Sequence, residues 1–420
     1  MTPKQIEGSI KTQVTRGERP EIQLLLCCAR SCVDLKTAEQ IRILVHDEID
    51  WIYLIRMAQQ HKVMPLLYWS LNKICSQAVP KDILNQLRNL FHAQALRNMF
   101  LTKELFKLLT LFNTHEIPIL SFKGPILAAS AYANLALRQF SDLDILVREQ
   151  DILRARALLI SQGYQMKIHP IKLTEAQEAK FVRSPQVHQL VRECAYPFVN
   201  CHNQVLVELH WAVMPKYISF PIDSQHLWED LEPVSIADKT VFNLSPENAL
   251  LILCAHGAKD CWVEMARICD VAELIGSHPQ LDWKKLMTQA SQLGGERILF
   301  LGLFLANDLL GTLLPTSVQQ RIQADSVLIR LATQVRERLF YEPEVLPRIG
   351  EISPFHLSVR ERVQDKIHFC LRVAFNPTTS DWILLPLAVF PSFLYYLIRP
   401  IRLARNFVLS IRDRVRQLSL

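Results

Sequence analysis

Asp142 and Asp144 lie one residue apart in the run Ser141-Asp-Leu-Asp-Ile-Leu-Val147, whose apolar positions recur with period two. Such alternation marks a strand, so both carboxylates leave one face while Leu143, Ile145 and Val147 enter a core. The run Val205-Leu-Val-Glu-Leu-His-Trp211 alternates in the same way, placing Glu208 and His210 opposite Val207, Leu209 and Trp211. If these two strands are neighbours, three carboxylates converge. Packed acids repel one another unless a cation sits among them, and an all-oxygen donor set suits Mg²⁺ or Mn²⁺, with water and phosphate completing the shell. Two such ions about 4 Å apart can hold an attacking hydroxyl and a departing pyrophosphate in line. The plainer alternative is a pair of solvent-facing aspartates on an edge strand.

A phosphate-binding feature lies just upstream. The run Ile117-Pro-Ile-Leu-Ser-Phe-Lys-Gly124 predicts a short strand ending at a glycine, and a helix is expected from Pro125 to about Asn134. Backbone N–H groups at such a turn can meet phosphate oxygens, and glycine permits close approach. Lys123 would add charge there; a solvated strand end and an ordinary turn are the alternatives for Lys123 and Gly124. Arg138 is a candidate to neutralise triphosphate charge, against the alternative of a salt bridge in its loop. His210 would orient Glu208 or touch substrate, or else is a structural histidine. Lys259, Asp260, Arg267 and Asp270 are candidates to close over a nucleotide, although polar residues on a helix commonly form a solvated face. His188, His202, His210 and His256 lack the i, i+4 spacing of a helical zinc pair.

The elements that must position these groups follow from periodicity. From Glu21 to Phe112 apolar residues recur at helical spacing, and His61-Lys-Val-Met-Pro-Leu-Leu-Tyr68 reads as a helix end followed by a Pro-started helix. The middle of the chain predicts a β-α-β-α-β-β order. Its second helix spans Asp151 to Gly163, and extended runs cover His188 to Phe198 and Val205 to Trp211. Helical patterning returns at Ser245-Pro246, with Gly257 expected to end that helix and Trp262 to Ile275 forming the next. The fold class is therefore α+β, a small mixed sheet flanked by mainly helical N- and C-terminal regions. The expected boundaries are 1–112 helical, 113–215 core, 216–380 helical, and 381–420 an apolar segment with a basic tail.

With 420 residues, half of them hydrophobic, the chain can bury a large core. The net charge of +6 is modest, and much of it falls on Arg399, Arg402, Arg405, Arg412, Arg414 and Arg416, faced only by Asp413. A nucleic-acid partner is not implied. The polar start lacks the apolar stretch of a secretory signal, so a cytoplasmic location is expected. The ten cysteines show no zinc-knuckle spacing and read as reduced, mostly buried thiols. Trp382 to Ile398 is strongly apolar yet falls short of the roughly 20 residues of a spanning helix. It either packs on the body or, with the arginine tail, makes peripheral contact with the inner face of the cell membrane.

Leu120-Ser-Phe-Lys-Gly-Pro-Ile-Leu127, Tyr132, Arg138, Ser141-Asp-Leu-Asp-Ile-Leu-Val147 and Val207-Glu-Leu-His-Trp211 together resemble the uncharacterised bacterial nucleotidyltransferase family of the polymerase-beta-like superfamily. The likeness runs from about Trp51 to Ile275 and includes His61, Pro65, Cys254, His256, Trp262 and Asp270. It implies a small mixed sheet flanked by helices, two metal ions, and transfer of a nucleoside monophosphate from a nucleoside triphosphate to a hydroxyl acceptor that the sequence does not name. By resemblance Asp142 and Asp144 match the Asp-x-Asp, Glu208 the third carboxylate, and Gly124 the glycine that opens the phosphate-facing helix. Lys-Gly-Pro stands where the superfamily usually has Gly-Ser, so a serine contact is missing and Lys123 is its candidate substitute. The competing functions are a non-catalytic scaffold of this fold at the membrane surface and a toxin-like nucleotidyltransferase.

Overall fold

The computed structural model describes residues 19–167, 194–215, 218, 220–222, 224–340, 353–376 and 396–405. Five helices open the chain: α1 (Pro20–Cys28), α2 (Leu35–Leu44), α3 (Trp51–Gln60), α4 (Met64–Cys75) and α5 (Lys81–Thr114). Asp34 and Asp50 cap α2 and α3 by accepting from the backbone N–H of Thr37 and Tyr53. Lys62, at φ 58°, turns the chain out of α3, and Pro65 sits in the first turn of α4, as the sequence predicts. At 34 residues, α5 is about 51 Å long. Its first half gives Leu84, Leu87 and Phe91 to a helical core, and its second half gives Leu101, Leu105, Leu108 and Phe112 to a core under the sheet. One helix thus braces both cores.

The sheet has the order β1-β2-β5-β4-β3, with β1 (Ile119–Ser121), β2 (Asp142–Val147), β3 (Tyr164–Met166), β4 (Ala195–Asn200) and β5 (Leu206–His210). It is mixed: β2 and β5 run parallel, and the other pairs are antiparallel. Helix α6 (Gly124–Ser130) joins β1 to β2, and α7 (Ile152–Ser161) joins β2 to β3. Period-two alternation divides the sheet faces. Leu143, Ile145, Val147, Val207 and Leu209 enter the core beside α5, whereas Leu146 joins the helical core on the opposite side, the side of Asp144 and Glu208. The α+β class holds, with corrections at the edges. Helix α6 ends four residues earlier than expected because Ala133 takes φ 52° and Asn134 makes a local turn by accepting from Ala136 N–H. Strand β3 was not expected. Of the extended run expected over His188 to Phe198, residues 188–193 lie outside the described residues.

A hairpin of β6 (Leu231–Ile236) and β7 (Lys239–Leu244), also unexpected, precedes the C-terminal helices α8 (Pro246–Lys259), α9 (Met265–Ser277), α10 (Trp283–Gln292), α11 (Glu296–Leu310), α12 (Thr316–Ala324), α13 (Ser326–Phe340) and α14 (Val363–Phe375). Pro246 opens α8 as predicted, without a capping bond from the Ser245 side chain. Gly257 does not end α8. It lies inside the helix, where an added Cβ would come within 2.5 Å of the Trp262 ring, and Gly302 on α11 gives the same indole room from another side at 3.0 Å. Trp262 itself takes φ 55° in the turn ahead of α9, so that helix starts at Met265 and not at Trp262. Overpacking a filled core typically destabilises by about 1–3 kcal/mol. Gly257→Ala is therefore expected to lower the urea unfolding midpoint by a corresponding amount, and an unchanged midpoint would contradict this packing.

Of the ten cysteines, only Cys28, Cys254, Cys261 and Cys269 are buried, and Cys32 and Cys201 are exposed, so the thiols are less uniformly internal than expected. Residues 382–395 of the apolar segment and the tail arginines Arg412, Arg414 and Arg416 lie outside the described residues. A final helix, α15, covers 396–405. Among the described residues no helix is long and apolar enough to cross a membrane.

Candidate active site

Parallel pairing of β2 with β5 sets the site. In that register Asp144 stands opposite Glu208 and Leu146 opposite His210, so the polar residues of both strands share the face turned toward α8. Ligand atoms of Asp144, Glu208 and His210 all lie within 4.8 Å of one another, a group able to hold a metal ion. His210 Nε2 is 3.2 Å from Asp144 Oδ1 and 3.3 Å from Glu208 Oε2. From the end of β1, Lys123 Nζ reaches the same Asp144 Oδ1 at 3.2 Å. The Phe122 ring lies edge-on to His210 at 5.2 Å, with Lys123 Nζ 5.1 Å from its centre, and so forms an apolar wall beside the charges.

Asp144 and Glu208 therefore share His210, Asp144 takes Lys123 as well, and the outcome for the three acids is uneven. Burial works against the Asp144 carboxylate, but Lys123 and the His210 hydrogen bond outweigh it and hold its pKa far below the usual range. The His210 hydrogen bond likewise lowers Glu208. Burial disfavours a charged His210, yet its bonds to Asp144, Cys194 and Glu208 prevail and raise its pKa well above normal. Asp142 is left over. Burial, followed by the charges of Asp144 and Glu208, pushes its pKa up to about 6. The group whose ligand atoms meet closely enough for a cation is Asp144, Glu208 and His210, two hard-oxygen donors and one imidazole, and Asp142 stands next to it on the same strand face without belonging to it.

Gly124 lies against this group. Its φ of +52° is in the left-handed region, and a Cβ there would stand 3.4 Å from the Asp142 carbonyl oxygen. The glycine is thus needed for the backbone angle and brings the turn beside Asp142. A left-handed conformation costs an ordinary residue about 1–2 kcal/mol. Gly124→Ala should lower stability by that amount through the backbone angle, since the added Cβ would itself meet the Asp142 carbonyl at ordinary contact distance. Wild-type stability in calorimetry would contradict the assignment.

Arg138 forms a salt bridge that ties its loop to α9. Its Nε and Nη2 donate to the two carboxylate oxygens of Asp270 on α9 at 2.8 and 2.9 Å, and the Tyr132 hydroxyl donates to the same carboxylate at 2.8 Å. Asn98 of α5 holds the loop from the other side, donating to the carbonyls of Leu135 and Arg138 at 2.6 and 2.8 Å. The segment leading into Asp142 is therefore clamped by two helices. Arg267 pairs with Asp260 at 2.6 Å, and Lys259 lies 3.7 Å from the same residue, so these three form a cluster of their own.

His256 of α8, which its sequence context does not mark as a site residue, also reaches the group. Its Nε2 lies 2.9 Å from the Val213 carbonyl oxygen, an acceptor, so that nitrogen carries the proton and the Nδ1 lone pair faces Lys123 Nζ at 3.5 Å. Burial, then Lys123 and Lys259, keep this imidazole neutral. The available signal was a histidine in Leu253-Cys254-Ala255-His256, within a helix whose residues are otherwise nearly all buried and apolar.

Asp144, Glu208 and His210 thus form a group able to hold a metal ion beside the Lys123–Gly124 turn, and the family the chain matches is one of transferases of phosphorus-containing groups. The family model described as uncharacterised nucleotidyltransferase matches residues 47–311, and the chain belongs to that family. The match extends past the resembling segment, through α11 to Gly311. No curated protein and no solved structure matches the chain.

Proposed function

We propose that the protein moves a nucleoside monophosphate from a nucleoside triphosphate to a hydroxyl-bearing acceptor, with Asp142, Asp144 and Glu208 holding Mg²⁺ or Mn²⁺. The observation that carries this reading is the β2–β5 register, which sets Asp144 against Glu208 with Asp142 one pleat away on the same face. When bound, the divalent ions would supply charge neutralisation at the α-phosphate and lower the pKa of the attacking hydroxyl. The chain's own groups do the rest. Lys123 stands where its ammonium can pass from Asp144 to a phosphate oxygen, and neutral His256 keeps that ammonium aimed at the site. Gly124 lets the backbone approach the phosphates beside Asp142. His210 fixes the Asp144 and Glu208 carboxylates relative to each other. Arg138 acts through Asp270 to set the approach to Asp142, and its charge adds to the positive field there. The hydroxyl oxygen forms the new bond to the α-phosphorus, and the bond to the departing pyrophosphate breaks.

A scaffold has no need of an uncompensated acid at Asp142, which favours the enzyme over the binding protein. The test is incubation of the protein with α-labelled triphosphates, Mg²⁺ or Mn²⁺, and cell extract. Label is expected to move onto a discrete acceptor in a metal-dependent way. Equal labelling by wild type and Asp142→Asn would end the proposal.

A further inference from the structure

Helix α14 is apolar on both sides. Phe369 and Val373, each 1% exposed, face the body, whereas Val363, Ile367, Leu371 and Phe375 remain 69, 53, 50 and 45% exposed. At four-residue spacing these last four advance about 40° per step and so form one outward stripe. Helix α15 adds exposed apolar side chains of its own. Arg399 Nε donates to the Val373 carbonyl at 2.9 Å, bringing the two helices together, and Leu397 and Ile401 stand out from α15 at 57 and 69% exposure. Single exposed apolar residues are ordinary, but a stripe of this extent marks an interaction surface.

Charge identifies what the surface faces. Residues 354–420 carry ten Lys/Arg against four Asp/Glu, a net +6, while the remaining 37 basic and 37 acidic residues cancel. The whole excess of the chain therefore falls within residues 354–420 of the sequence, the stretch that includes the stripe, although Arg360 and Arg399 are buried. Helical geometry puts Lys366 on one flank of the stripe and Arg372 on the other. Both nearby acids point inward: Glu361 accepts from the Arg297 N–H, and Asp365 packs beside Gly294. Apolar side chains rimmed by cations, with the acids turned away, match a bilayer with anionic headgroups over hydrocarbon. We propose that the outward face of α14 and α15 is a peripheral docking surface for an anionic lipid membrane. It lies beyond the residues matched to the family and is independent of the nucleotidyl-transfer reading.

The test is co-sedimentation of the full chain with phosphatidylcholine vesicles, with or without about one-third phosphatidylglycerol. Strong binding to the anionic vesicles is expected at low salt, with at least about a tenfold lower partition onto neutral vesicles or at high salt. Ile367→Glu/Leu371→Glu should reduce the anionic partition by about tenfold or more, with thermal unfolding unchanged because both positions are exposed. Ile367→Ser/Leu371→Ser serves if the charged pair fails to fold. Three results would overturn the proposal: no sedimentation with anionic vesicles, wild-type sedimentation of the folded double variant, or a lipid-free dimer abolished by that variant. The last would make a second copy of the chain the occupant.

Discussion

Asp142→Asn is expected to reduce nucleotidyl transfer by about a thousandfold or more while making the metal-free protein more stable, and Asp144→Asn to lose both activity and stability. The two aspartates share a strand face but differ in partners. Asp142 is strained by burial and by the charges of Asp144 and Glu208, which raise its carboxyl to about 6. Removing its charge relieves that repulsion by about 1–2 kcal/mol once solvent screening is allowed for. Asp144 is the shared acceptor of Lys123 and His210, with side chains only 7, 15 and 3% exposed. Asparagine there leaves two buried cationic groups facing a neutral amide, a loss of about 2–3 kcal/mol. Urea unfolding in the presence of a chelator measures both shifts. Shifts of the same sign would show that the two carboxylates are not differentiated as described.

Asp270→Ala should be among the most destabilising substitutions outside the hydrophobic core. Its carboxylate takes both Arg138 nitrogens and the Tyr132 hydroxyl, and the paired side chains are 13 and 8% exposed. Removing one partner of a buried pair strands the other, at a cost of about 3–5 kcal/mol. Because this clamp sets the loop that enters β2, transfer should also fall through a raised KM for nucleotide. Arg138→Met/Asp270→Leu removes both charges together and should recover at least about half of the lost stability, since apolar replacements of buried pairs are often near neutral. Recovery of stability without recovery of KM would confirm that the arginine also shapes the loop. A single-variant loss under about 1 kcal/mol would contradict the buried-clamp reading.

The carboxylate strands were legible because each alternates over five or more residues with acids on one face, a pattern that fixes which side chains meet once the strands pair. Strand β3, with three residues, is too short to show a period. The β6–β7 hairpin was hidden by Pro233 within a strand and by an Ala237-Asp238 turn without the usual glycine. Gly257 looked like a helix stop because the local chain carries no sign of Trp262 folding back onto it. Arg138 invited a phosphate role for the same reason: its partner Asp270 lies 132 residues away, and long-range pairing has no local signature. His256 shows the same limit in reverse, since only the folded chain brings α8 against Lys123. What could be read was that the acids share one strand face, and what could not was how the helices on either side share out the cations.

The most direct measurement is calorimetric titration of the protein with a non-hydrolysable nucleoside triphosphate, with and without Mg²⁺, alongside Asp142→Asn and Asp144→Asn. Saturable binding that requires the metal and disappears in both variants is the expected result. Binding that ignores the metal, or survives both substitutions, would contradict the placement of the catalytic centre at these carboxylates.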